Sequence, residues 1–330
     1  MIYILGDFLS YMFAAFWTGQ LLLGATPQER RPSLRPSGHV ASFALVGLVV
    51  SAGLPVVRIG RYLQDELNLS RIDALRTALT GNGTGLAFLA VCLIASLLVL
   101  FRKNVQLSIG LTQLLFLALA ATSHAASKQG LVGLLTQFMH FSAASIWIGI
   151  VLAAGFLSRD AKNWQAFLRW FSPLARFLFM LVLLSGMFLM RETVPLGDYA
   201  NAWGMPYGQA LLLKHILILP LLGYAFLNGT IVRRRLANEP AFDPRPSVRM
   251  EGVVILLVLL ASATLSNTET PVAFEALPVV LTPALMLLSL TGLASIGLLV
   301  LTFQKRLPDL FGLLFGLSGA GLLYLALLTL

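Results

Sequence analysis

Long apolar runs decide what this chain can become. Ten stretches of about 18 or more predominantly apolar residues follow one another along its 330 residues, at about 2–25, 39–57, 84–101, 105–123, 131–157, 172–191, 207–231, 249–266, 279–303 and 308–329. A run of that length crosses the ~30 Å hydrocarbon core of a bilayer as a helix. In hydrocarbon every backbone N–H and C=O must find its partner inside the protein, which a helix achieves within one segment. The expected fold is therefore all-α, a polytopic transmembrane helical bundle of about ten helices. The runs at 131–157 and 207–231 are long enough to tilt or to project beyond the bilayer.

Composition agrees. Hydrophobic residues make up 58% of the chain and charged residues only 11%, against roughly 25% charged in a soluble domain. The net charge of +9 does not point to nucleic acid, because most basic residues lie in short loops, where they set orientation. With the N-terminus outside, sixteen of the 23 lysines and arginines fall in inner loops and six in outer ones, while Lys214 lies within a helix. That bias places both termini outside. The first run lacks a basic start, and Asp7 is its sole charge before Glu29. It reads as a first spanning helix and not a cleaved signal peptide.

Several function classes drop out. The single cysteine, Cys92, excludes an internal disulfide and a Cys-x-x-Cys metal site, and it reads as a small packed hydrophobe. No P-loop is present, so transport would not be driven by ATP hydrolysis in this chain. No nucleophile–base pair with a local signature appears, so no catalytic residue is assigned and the chain is not read as an enzyme.

Two connecting segments have character of their own. In 58–83, Ser70 precedes Asp73 at the spacing of a capping box, and Ile72, Leu75 and Leu79 repeat at helical spacing between Arg71 and Arg76. Either a short interfacial amphipathic helix or a polar linker fits. The loop 232–248 opens with Arg233-Arg234-Arg235 and is proline-rich. It reads as a topology anchor beside anionic lipid.

The informative polar residues are those inside the apolar runs. An intramembrane imidazole is costly, and its default reading is functional. His124 lies at the outer end of the fourth run. His140 lies nine residues into the fifth, ~13 Å deep at 1.5 Å per residue, and Lys214 and His215 reach ~10–12 Å in the seventh. His39 stands apart at the inner end of the second run. Met180, Met187 and Met190 share a face of the sixth run, and Met139 adjoins His140. Imidazole with thioether is a ligand set for copper in its reduced state, Cu(I). Methionine also fills core gaps, and a membrane histidine can serve helix packing alone. Trp147, seven residues beyond His140, shares its face and either walls a site or packs. Lys214 reads as fold-supporting, because a protonated lysine cannot ligate metal.

Four stretches in order then resemble the copper-resistance D (CopD) family of bacterial inner-membrane proteins. They are Ser123-His124-Ala125-Ala126, the run from Met139-His140 to Trp147-Ile148-Gly149, the run from Tyr207-Gly208 to Lys214, and Pro246 to Glu251 with the close at Thr268-Glu269-Thr270-Pro271. Ile150 stands where the family often has a second glycine. The clearest match spans 123–271. The resemblance implies a CopD-like bundle of eight helices over 1–271, and this chain departs from that plan by adding an accessory C-terminal helical hairpin over 272–330. It also implies a multi-pass protein of the bacterial inner membrane with both termini periplasmic, copper as cargo, and a separate periplasmic copper-binding partner of the CopC type. Only His124 and His140 carry over by position.

The reading that follows is a permease taking copper from periplasm toward cytoplasm. His124 receives the ion and His140 is central, with Met139, Met187, Met190 or His215 completing the site. Two alternatives stay open: a haem-binding electron carrier with histidine axial ligands, and a factor that delivers copper without moving it across the membrane.

Overall fold

The computed structural model describes residues 1–35, 38–239, 241–271, 273–274, 282–304 and 307–328. The elements there are helical: α1 (Ile2–Ala25), α2 (Gly38–Ala52), α3 (Leu54–Leu67), α4 (Arg71–Thr80), α5 (Gly83–Leu100), α6 (Val105–Ala120), α7 (His124–Leu157), α8 (Trp164–Arg191), α9 (Pro206–Leu227), α10 (Arg233–Asn238), α11 (Arg245–Ser266), α12 (Pro283–Gln304) and α13 (Asp309–Leu328). Among the described residues, nine helices are long and apolar enough to cross a membrane, with α2 and α3 counted as one. The tenth apolar helix, α6, has 16 residues, about 24 Å at 1.5 Å per residue. Lys305 and Arg306, expected at the inner end of the C-terminal hairpin, lie outside the described residues.

The helices divide into two compact units. The first comprises Met1–Thr26, Pro36–Ala153 and Ala175–Glu192. Its core gathers Ala14, Trp17, Leu45, Leu48, Val91, Leu98, Leu115 and Phe116 from α1, α2, α5 and α6. Small residues let backbones approach where oily surfaces alone give no drive to associate. A Cβ at Gly19 of α1 would collide with the carbonyl of Gly149 on α7. Buried polar groups join helices: Trp17 Nε1 donates to Thr112 Oγ1 at 3.0 Å, and Ser10 Oγ to Ser51 Oγ at 2.8 Å. Ser70 caps α4, accepting from the Asp73 amide at 3.2 Å, so the segment is helix and not linker. Ala74 and Ala78 are buried, while Ile72 and Leu75 point outward beside Arg71 and Arg76.

The main span of α7 begins where the apolar run does. Gly130 adopts φ 57° and ψ −129°, which separates a first turn-and-a-half carrying His124 from the long helix carrying His140. The left-handed region favours glycine, which has no Cβ to clash.

The second unit comprises Pro27–Arg35, Ala154–Leu174 and Thr193–Leu330. Here α9 packs against α11 and α13, and α12 pairs tightly with α13. The hairpin closes through glycines: a Cβ at Gly319 would meet the Gly292 carbonyl and Ile296. Leu212, Ile216 and Leu217 of α9 meet Ala320 and Leu323 of α13 and Ala261 of α11. The segment 27–35 zips onto 157–159, with the Arg35 amide donating to Leu157 O at 2.8 Å and the Arg159 amide to Ser33 O at 2.7 Å. α8 begins eight residues before the apolar run at 172, because Trp164, Phe167 and Phe171 bury one face while Arg169 lies on the exposed side.

Candidate metal site

In the first unit, α7 carries His140 against α8. Its Nδ1 lies 3.1 Å from the Val182 carbonyl oxygen and 3.1 Å from Ser185 Oγ. A carbonyl only accepts, so Nδ1 holds the ring proton, and Ser185, whose hydroxyl donates to Leu181 O, accepts as well. In the neutral ring Nε2 is then the nitrogen with the lone pair. Gly186 makes room for the imidazole, since a Cβ there would stand 3.2 Å from its Cε1. Ser142, Ser145 or a neighbouring backbone carbonyl are the orienting groups the sequence allows, and in the structure a carbonyl, Val182 O, takes that place with Ser185 of α8 beside it. Ser142 is buried, and its hydroxyl has no hydrogen-bond partner among the described residues.

The other candidates of this unit are spread along one region. Trp147 is 5% exposed and meets Phe179 edge-on at 5.7 Å. Met190 is half-buried, one turn beyond Gly186 on the face of α8 that meets His140. Met139, Met180 and Met187 are 46%, 49% and 49% exposed, so this part of the methionine series is turned outward and does not fill a core. His124 is exposed at the start of α7, and His39 is exposed near the start of α2.

In the second unit, His215 is half-buried on α9. Its Nδ1 lies 2.6 Å from the Tyr199 hydroxyl, which a short 3-10 turn holds above the helix. Burial pushes the Tyr199 phenol up to about 12, so the hydroxyl keeps its proton at neutral pH. It can donate to His215 or accept from it. Lys214 is half-buried, and neither ion pair found among the described residues involves it.

Sequence reasoning passed over one polar constellation. Glu251 of α11 is 4% exposed and accepts from Asn228 Nδ2 at 2.6 Å, while Ser247 Oγ donates to Asn228 Oδ1 at 2.7 Å. Asn228 opens a π-helical turn, Asn228–Val232, at the end of α9, and such turns often mark functional sites. The available signal was an acid at the third position of the apolar run 249–266. Among the described residues, no three His, Cys, Asp or Glu side chains form a metal-holding group.

These helices and their sparse buried polar groups define a polytopic α-helical membrane protein. Residues 165–265, from α8 to α11, match the family model described as copper resistance protein D. That region includes Met187, Met190, Lys214 and His215, whereas His124, Met139 and His140 precede it. The copper transport protein CutJ of Bacillus subtilis (strain 168) is 29% identical over 199 residues, which cover 56% of this chain and 36% of that protein. The chain thus spans about a third of the length of the curated relative it matches. No solved structure matches.

Proposed function

We propose that this chain is a copper-handling protein of the bacterial inner membrane that takes copper from the periplasm toward the cytoplasm. The observation that carries the reading is the tether on His140. A metal-binding imidazole nearly always donates its other N–H to a carbonyl or carboxylate, which fixes the tautomer and the ring direction. His140 does so through Val182 O and Ser185 Oγ. Copper meets exposed His124 and passes to His140, with Met139, Met187 or Met190 as a further soft donor of the same unit, while His215 is a separate candidate in the second unit. Lys214 and Trp147 support the helices that carry these donors. A CopC-type periplasmic protein would deliver the ion. The family match and the name of the relative support copper as cargo, and the charge bias supports periplasmic termini.

Metal content and a visible spectrum on protein purified in mild detergent test this reading. It expects copper after copper loading and no Soret band. A strong Soret band with axial-histidine features would replace it with a haem-binding electron carrier. Copper bound without copper movement in proteoliposomes would replace transport with delivery.

A further inference from the structure

The run Arg233-Arg234-Arg235 looks uniform in sequence, and the fold divides it. Arg235 turns to its own helix end, pairing with Glu239 at 3.1 Å and lying over the Phe242 ring at 4.2 Å. Arg233 and Arg234 are exposed and belong to neither contact. With Arg169 of α8, and with Gln165 and Ala237, they line one cleft of about 400 Å³ in the second unit. Neither ion pair found among the described residues involves any of these three arginines. Their stems make most of its wall, and three like charges held beside one cavity repel one another unless an anion sits among them.

The setting selects the anion. Gln165 and Arg169 lie one turn apart at the start of α8, on a stretch that also carries the half-buried Trp170. Indoles gather at the membrane–water boundary, and both α8 and α9 run from this level into apolar spans. Guanidinium forks match phosphate oxygens in pairs. Arginine stems and Ala237 supply an apolar wall beside them. A phosphate carried on acyl chains arrives at this depth as a matter of course, whereas a soluble phosphate must leave water to reach it. We propose that the cleft lined by Arg169, Arg233 and Arg234 is a binding site for the phosphate headgroup of an anionic phospholipid. A diffuse basic anchor would use all three arginines of the run alike. A site separates Arg234 from Arg235 and enlists Arg169 from a helix 64 positions away in sequence.

The full chain, purified in mild detergent and offered equal amounts of phosphatidylglycerol and phosphatidylcholine, is read by native mass spectrometry. The expected result is selective retention of phosphatidylglycerol. Arg169→Gln and Arg234→Gln should each weaken it about fivefold, the effect of one basic residue near an anionic headgroup. Arg235→Gln should leave retention unchanged. All three side chains project from exposed positions or helix ends, and unchanged melting of each variant without lipid verifies folding. Equal retention of both lipids, no effect of Arg169→Gln, or equal effects of Arg234→Gln and Arg235→Gln would overturn the site. Displacement of the lipid by inorganic phosphate at similar concentration would assign the cleft to a free anion and overturn the lipid assignment.

Discussion

His140 shows how much one hydrogen bond can decide. Because Val182 O can only accept, the ring proton sits on Nδ1 and the lone pair on the other nitrogen, the one the proposed copper site would use. Ser185 shares that proton at the same distance. Ser185→Ala removes one of the two groups that orient the ring. Loss of such an orienting group typically lowers metal affinity 10- to 100-fold, and with the carbonyl still in place a loss of roughly tenfold is expected. Copper titration of the folded variant measures it, and parental affinity would show that the serine only fills space. At the other end of the molecule's chemistry, Arg245 beside Asp243 holds that carboxyl below the usual carboxylate range. A depressed pKa in the folded state means that the bridge contributes above the ordinary carboxylate value and is lost as pH falls through the folded one. The pair is partly exposed, so screening keeps its contribution small. The protection factor of amides in the turn before α11, with exchange corrected for its intrinsic pH dependence, should therefore fall below about pH 4, where an ordinary aspartate protonates. Protection that does not change through that range would contradict the assignment.

At the scale of elements, the sequence is most legible where apolar length alone sets the structure. Each expected run has its helix, and the α7 span begins at 131 because Gly130 breaks the turn before it. Boundaries shift where a helix leaves hydrocarbon without ending. α8 extends back to Trp164 through the amphipathic Trp164–Phe171 stretch, and the helical path of α9 continues through a π-turn into Arg233–Asn238. Run-counting stops at a charge, whereas a backbone stops only at a cap. The candidate site was legible as residue types and depths. Its orienting partners were not, because Val182 and Ser185 lie more than forty residues from His140 and only the packing of α8 brings them to the ring. Glu251 was passed over because a single acid in an apolar run says nothing about Asn228 and Ser247 until α9 and α11 pack together. The pairing of α12 with α13 gives a prediction of its own. Gly319→Leu would drive a side chain into the Gly292 carbonyl and Ile296, and overpacking of that kind costs about 1–3 kcal/mol. Thermal melting should fall while copper bound per folded molecule stays at the parental level. Loss of copper with melting unchanged would contradict the accessory role proposed for the hairpin.

At the scale of the whole molecule, α6 decides the topology. Its 16 residues are marginal for a ~30 Å core, yet Leu111, Leu115 and Phe116 belong to the core of the first unit. We expect it to cross. Reporter fusions after Gly81 and after Asn238 are separated by five crossings if it does and should give opposite signals. Matching signals would mean that α6 stays on one side and that the orientation read from the charge bias fails. The central claim is that His140 holds copper on its way through this bundle. Its most direct test is copper bound per folded molecule, measured on the parent and on His140→Ala with His39→Ala as the control. Copper entry into proteoliposomes is recorded on the same preparations. The account predicts that His140→Ala loses both binding and entry while His39→Ala keeps both. Parental copper binding and entry in His140→Ala would contradict it and leave the histidine as a residue that packs α7 onto α8.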